Sequence, residues 1–381
     1  MIEKSEYLER IKKLAVLMRD SGLEGILLTA ESNIDYFSGF RHHAPWTLFA
    51  RPFFQVISAD GQSAQLAHTF LEPEMRRTSA VSDVRTFAHS GDAPVDQLRS
   101  IMAELGIKKG KLGMELGYEQ RLGINILDFR RLEAELNDLQ IMDASTLLWS
   151  LRMIKSPAEI EMMRKSAAVT AAAFKACFAA AKPGMSEIEV CRKAADTMIL
   201  EGAERPGFIL VTSGIENYHV LSGKPTERKL VAGDMLWIDM GAVVNGYWSD
   251  FCRAAYFGKP NSILEDSQKM ILDVNRAMID ATRPGQPVSK VAEAATGAFR
   301  RLRINVDLGK GRVGHGMGLM STEPPHVALY EEAVCEEGLA FTIEPRITNQ
   351  NGVFNCEELL VVTKTGVEVL TTSPRNITYI N

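Results

Sequence analysis

The sequence predicts two domains of different build: an α/β domain over residues 1–155 and an α+β domain over residues 156–381 that repeats one ααβ unit. Three observations carry this expectation. The chain has 381 residues, too many for one compact core. Strand-like and helix-like apolar patterns alternate through its first third. Beyond that, two Asn-Gly pairs, Asn245-Gly246 and Asn351-Gly352, each divide two apolar runs, and each follows the same order of long helix, Pro-Gly and second helix.

In the first domain, Leu8, Ile11, Leu14, Ala15, Leu17 and Met18 recur at helical spacing and predict a helix over Glu6–Ser21. Strands are expected at Gly25–Thr29, Phe54–Ser58, Ala64–Ala67, Val84–Phe87 and Lys111–Glu115, and helices at Val95–Leu105 and Arg121–Leu136. No catalytic constellation is visible there. Arg41-His42-His43-Ala44-Pro45-Trp46 is a polar and aromatic loop. Adjacent histidines on extended chain point apart, so a solvated loop is favoured over a substrate-facing role for His42 and His43. Ser156-Pro157-Ala158-Glu159 then reads as an N-cap, a proline at the first helical position and an acid in the first turn, so the domain boundary falls just before Ser156.

Composition bounds the function. A net charge of −5 and a pI near 5.9 argue against a nucleic-acid-binding surface. Met1–Glu6 lacks a basic start followed by an apolar run, and no stretch of about 20 apolar residues occurs, so a soluble cytoplasmic protein without a membrane partner is expected. Cys177, Cys191, Cys252, Cys335 and Cys356 are odd in number and show no CxxC spacing, which argues against disulfides and a cysteine zinc site.

The second domain carries the chemistry. Ala181-Lys182-Pro183-Gly184 and Thr282-Arg283-Pro284-Gly285 each close one helix and introduce another, marking units from about Ser156 and about Ser262. A type I′ turn at Asn245-Gly246 sets Val244 opposite Tyr247 and Gly241 opposite Asp250, so Asp239 and Asp250 share a face. Alone, that pair is equally well two solvated edge residues. The same turn at Asn351-Gly352 sets Gln350 opposite Val353 and Arg346 opposite Glu357, placing Glu344 and Glu357 on one face and Glu358 on the other. Four acids in a shared interior repel and lose hydration, costs that two divalent cations would offset. His315, between Gly314 and Gly316, is a candidate fifth ligand. One nitrogen among oxygens favours Mn²⁺, Fe²⁺, Co²⁺ or Zn²⁺ over Ca²⁺.

Asp239, Asp250, His315, Glu344 and Glu357, in this order, resemble the metal-ligand set of the M24 metallopeptidases, whose fold is called pita-bread or creatinase-like. The surrounding Ile238-Asp239-Met240-Gly241, Gly314-His315-Gly316-Met317-Gly318 and Thr342-Ile343-Glu344-Pro345 agree, and Arg152–Ile160 looks like the family's junction between domains. The resemblance implies a creatinase-type N-terminal domain, a pita-bread catalytic domain with internal pseudo-two-fold symmetry, and the prolidase and Xaa-Pro aminopeptidase branch. It further implies that Asp250 and Glu357 bridge two metals, that Asp239 completes one ion and His315 with Glu344 the other, and that a bridging hydroxide attacks the scissile carbonyl. Glu344 is then also the general-base candidate, and His219 matches the family's substrate-binding or proton-handling histidine. Relatives commonly dimerise and bring the N-terminal domain to a neighbour's site, which would involve Arg41, His42 and His43.

Two positions depart from the pattern. Thr322 stands where the peptidases carry a second histidine, with His326 as a candidate substitute, and Asn355 stands where they carry an arginine. The leading expectation is an Xaa-Pro dipeptidase- or aminopeptidase-like metallohydrolase acting on a small peptide or amide. The departures motivate alternatives on the same fold, creatinase-like C–N hydrolysis or lyase chemistry on dimethylsulfoniopropionate. A metal-free binding module would be expected to have lost a ligand, and none is missing.

Overall fold

A computed structural model describes residues 2–42, 52–88, 91–306 and 308–380. The chain divides into two compact units, Met1–Arg152 and Met153–Asn381.

The first unit is built on a six-stranded mixed sheet in the order β4-β3-β2-β1-β5-β6. Its strands are β1 Gly25–Leu28, β2 Phe54–Ser58, β3 Ser63–His68, β4 Asp83–Phe87, β5 Gly110–Met114 and β6 Leu139–Asp143. Leu27, Phe54, Val56, Leu98 and Leu112 lie in its core with helices Val95–Glu104 and Ile126–Glu135. The sixth strand is not announced by the sequence, because Gln140 and the preceding Asn137-Asp138 interrupt its apolar run. The helix expected over Arg121–Leu136 begins five residues later, at Ile126, because Asn125 caps it by accepting the Asp128 N–H. Glu115 is fully buried after β5, and its carboxylate accepts from Thr29 N, Thr29 Oγ1, Ala30 N and Asn33 Nδ2 at 2.8–3.0 Å. Glu115 thereby satisfies donors at the start of helix Glu31–Ser38 from the end of the neighbouring strand.

The second unit is the expected repeat. Helices Pro157–Ala180 and Glu187–Leu200 form one pair and Ser262–Ala281 and Ser289–Arg301 the other. Ser156 and Glu159 close a reciprocal capping box at the first of them. The Pro-Gly turns match in detail: Gly184 (φ 89°) and Gly285 (φ 81°) are both left-handed, and their N–H groups donate to Leu230 O at 2.8 Å and Cys335 O at 2.9 Å. After each helix pair comes a sheet. The first is ordered β18-β10-β8-β7, with β9 on β8, and the second β12-β11-β13-β16-β17, with a separate β14-β15 ribbon. Their strands are β7 Arg205–Ser213, β8 Met235–Val244, β9 Tyr247–Trp248, β10 Phe251–Phe257, β11 His315–Gly316, β12 Glu323–His326, β13 Ala340–Ile343, β14 Arg346–Asn349, β15 Gly352–Asn355, β16 Glu358–Val362, β17 Val367–Val369 and β18 Thr378–Ile380.

The first hairpin has the register its turn dictates. Val244 faces Tyr247 and Asp239 faces Cys252, while Asn245 (φ 48°) and Gly246 (φ 80°) both adopt the positive φ of a type I′ turn. Opposite Asp250 the backbones pinch together, so that a Cβ on Gly241 would lie 1.9 Å from Ser249 O. Ser249 Oγ is held in a buried hydroxyl cluster with Ser166, Thr170 and the Ala242 N–H. Gly241→Ala is therefore expected to destabilise the protein by about 1–3 kcal/mol through overpacking. Gly366→Ala, where no atom lies within 4 Å of the new methyl, is its neutral control in thermal melts.

The second hairpin differs from expectation. Asn349 faces Gly352 and Arg346 faces Asn355, so the loop is Gln350-Asn351 and the register is displaced by two residues. Asn351 is not left-handed; its N–H donates to Asn349 Oδ1, and Gly352 moves into the strand, where a side chain would strike Met235 Sδ. Displacement by two preserves the faces. Among the described residues, no helix is long and apolar enough to cross a membrane.

Candidate functional site

Each expected acid of the second unit except Asp239 sits where a strand is interrupted. Asp239 is in the middle of β8, Asp250 lies in the gap between β9 and β10, Glu344 between β13 and β14, and Glu357 between β15 and β16. Pro345 has no N–H to continue a ladder. At these gaps other groups take over from the strand partner: Glu344 N donates to Val313 O, Asn275 Nδ2 to Cys356 O and Arg253 Nη1 to Glu357 O.

The interruptions turn the carboxylates together. Asp250, His315 and Glu357 each offer a ligand atom within 4.8 Å of the others. His315 Nε2 is 3.6 Å from Asp250 Oδ2 and 3.8 Å from Glu344 Oε1. His315 Nδ1 lies 3.0 Å from Gly316 O, which can only accept, so Nδ1 carries the proton and Nε2 turns its lone pair toward the acids. Asp239 is within hydrogen-bonding reach of Asp250.

Burial raises all four carboxyls, and repulsion from neighbouring acids adds to it at Asp239, Asp250 and Glu357. Asp250 and Glu357 are pushed well above the carboxylate range, Asp250 mainly by burial and then by Asp239 and Glu344, Glu357 by burial and then by Asp250, Asp239 and Glu344. Asp239 is pushed up by burial and Glu344, and Glu344 by burial against the opposing pull of Arg312 and Arg346. Asp239 Oδ1 and Glu357 Oε2 are buried without any hydrogen-bond partner. Orphaned anionic oxygens beside a histidine lone pair fit a divalent cation, which would satisfy all of them at once.

Without metal these raised carboxyls hold protons that the unfolded chain, with ordinary acids titrating near about pH 4, releases. The folded state then binds more protons, so this contribution to stability is present at low pH and is lost as pH rises through the folded values, about 7 for Asp239. In chelator the melting temperature is expected to fall across that window. With excess Mn²⁺ it should rise instead, because ligation requires the deprotonated groups. Parallel melts across the window check both signs.

The other expected residues fall elsewhere. His219 is exposed in the turn after β7 and belongs to no ligand group. His326 is buried in β12 directly across from His315, but its ring is engaged by Arg312 Nη1 at 2.9 Å and Tyr330 Oη at 3.3 Å. His42 belongs to the first unit, with Nδ1 3.4 Å from Glu74 Oε2, and His43 lies outside the described residues.

Arg253 and Glu358 were not foreseen as part of the site. Arg253 is buried in β10, three residues after Asp250, and Nη2 donates to Glu358 Oε1 at 3.0 Å, while Nη1 holds the Glu357 and Cys252 carbonyls. Glu358, on the face away from the cluster, also accepts from Arg375 and Thr371. This buried ion pair ties the strand after Asp250 to the strand after Glu357.

Comparison with known proteins bears on the family and the fold. Residues 161–364 match the model of metallopeptidase family M24, and residues 10–154 match the Creatinase/Prolidase N-terminal domain. The chain is 26% identical over 373 residues to an Xaa-Pro dipeptidase of Pyrococcus furiosus, covering 97% of this chain and 99% of that enzyme. Among solved structures, an Xaa-Pro dipeptidase from Bacillus anthracis superposes with a TM-score of 0.84 at 26% identity, covering 98% of this chain and 100% of that one. Dipeptidase PepE from Mycobacterium ulcerans gives 0.85 at 25% identity, covering 100% and 99%.

Proposed function

The chain belongs to metallopeptidase family M24, and from that premise we propose that it is a dipeptidase using two divalent ions to cleave the amide bond of short Xaa-Pro substrates. The observation that carries the reading is the convergence of two buried carboxylates, Asp250 and Glu357, two half-buried ones, Asp239 and Glu344, and His315 Nε2, with Asp239 Oδ1 and Glu357 Oε2 left unsatisfied. Asp250 and Glu357 would be shared by the two ions, Asp239 would complete one set, and His315 with Glu344 the other. Such ions polarise a carbonyl and acidify a coordinated water.

The protein's own groups do the rest. The Glu344 side chain is 27% exposed, so it can exchange a proton with solvent and substrate. His315 keeps its donor on Gly316 O and its lone pair inward throughout. His219, exposed in the turn after β7, is assigned the second proton-handling role. The Ser249 cluster and the Arg253–Glu358 pair hold the gaps around Asp250 and Glu357 in place.

The test uses purified protein stripped of metal and reloaded with Mn²⁺ or Co²⁺. Release of free proline from Ala-Pro is the expected result. Absence of proline release across a panel of Xaa-Pro dipeptides would overturn it, and release of acrylate from dimethylsulfoniopropionate would assign the site to lyase chemistry instead.

A further inference from the structure

His315 is set among glycines. β11 is only His315–Gly316, with Gly314 before it and Gly318 shortly after, and Gly316 O is the group that holds the imidazole through Nδ1. Glycine restrains its own backbone least, so the orientation of that carbonyl has to be set by its neighbours. On one side Gly316 faces Phe341 of β13, and on the other Glu323 of β12. β12 is a poor ladder partner: Pro324 and Pro325 have no N–H, and the His326 N–H is donated to Glu331 Oε2 at 2.8 Å.

A side-chain contact takes the place of these bonds. Glu323 Oε2 lies 3.4 Å from Lys155 Nζ, and both side chains are 1% exposed. Glu323 Oε1 accepts the Met320 N–H at 3.1 Å, which closes the turn between β11 and β12. Lys155 is itself fixed, since its N–H donates to Gly338 O at 2.9 Å, two residues before β13 begins. The chain after His315 packs against this pair without slack. A Cβ on Gly318 would lie 3.0 Å from Glu323 Oε2 and 3.1 Å from Lys155 Cε, and one on Gly316 would lie 2.2 Å from Pro324 O. A buried ion pair is a weak source of net stability, so its place beside the histidine points to geometry rather than to folding energy.

We propose that Lys155 and Glu323 are positioning residues for the metal centre: their ion pair spans β11 from the β13 side to β12, fixes the Gly316 carbonyl, and through it directs the His315 lone pair. The proposal rests on the two-ion reading and separates the ions, because His315 with Glu344 serves one and Asp239 the other. Loss of the pair weakens the ion at His315 and spares its neighbour.

The test is a calorimetric titration of the metal-stripped full chain with Mn²⁺, with melts of the metal-free protein alongside. K155M and E323Q are compared with V291A, a core truncation in helix Ser289–Arg301 that lowers stability away from the centre. The wild type is expected to take up two ions per chain. K155M and E323Q should keep one at wild-type affinity and bind the second about 10–100-fold more weakly, the range for outer-shell partners of a metal ligand. V291A should keep both ions although its metal-free melt is lowered. H315A and the double variant K155M/H315A should bind alike, since the pair acts through His315. Wild-type binding of both ions by K155M, or a double variant weaker than H315A, would overturn the proposal. Should K155M fail to fold, E323Q and E323Q/H315A carry the same comparison. If the wild type takes up one ion only, the two-ion reading fails by itself, and the positioning role is still decided by whether K155M weakens that ion and adds nothing to H315A.

Discussion

Asp250→Ala is expected to lower kcat/KM on Ala-Pro by about a thousandfold or more, an effect of ~4 kcal/mol or above, the several kcal/mol that metal catalysis supplies. Asp250 lies at the centre of the cluster, 3.6 Å from His315 Nε2 and within ligand distance of Glu357. Its loss removes an oxygen that both ions would share, so bound metal, measured by elemental analysis of the dialysed protein, should fall with activity. The metal-dependent gain in melting temperature should vanish too. The metal-free variant should not be destabilised in the same measure, because one member of a mutually repelling set has gone. A variant with wild-type turnover and reduced metal would rule out this centre as the seat of the reaction.

Arg253→Met should cost stability rather than chemistry in the first instance. The Arg253 side chain is 3% exposed and its partner Glu358 is 0% exposed, so Arg253→Met removes one of two cations from a buried carboxylate that keeps Arg375 and Thr371. A loss of about 1.5–3 kcal/mol is expected, the scale of a hydrogen bond to a charged group, read as a fall of roughly 5–10 °C in melting temperature for a unit of this size. Lys269→Ala, which breaks an exposed i,i+4 pair with Asp273, should leave the melt unchanged. Arg253→Met should also weaken metal retention, since the same guanidinium holds the Glu357 carbonyl. A melt like that of wild type would refute the clamp.

The fold was legible in the sequence where local chemistry is decisive. Asn245-Gly246 has one comfortable hairpin conformation, and the turn set the ladder through Asp239 and Cys252 correctly. The Ser156 capping box and the two Pro-Gly turns are likewise local signals with a single structural solution. Asn351-Gly352 was less decisive because Gly352 packs closely on Met235, so the turn moved back one residue, the register shifted by two and only the faces were preserved. What could not be read was long-range: Arg253 and Glu358 are 105 residues apart, and Glu358 lies on the side that register arguments set aside. His326 illustrates the same limit, since its tie to Arg312 depends on β11 and β12 folding together.

The interrupted strands have a consequence for how the centre is filled. The cluster's acids at 250, 344 and 357 sit at places where no ladder bond has to open for a ligand to turn, while the neighbouring strands stay paired. A cation could therefore be taken up by the folded protein without opening a strand ladder. In amide hydrogen exchange, chelation should release protection at Asp250 and Glu357 and leave Ala340–Ile343 and Glu358–Val362 as slow as before.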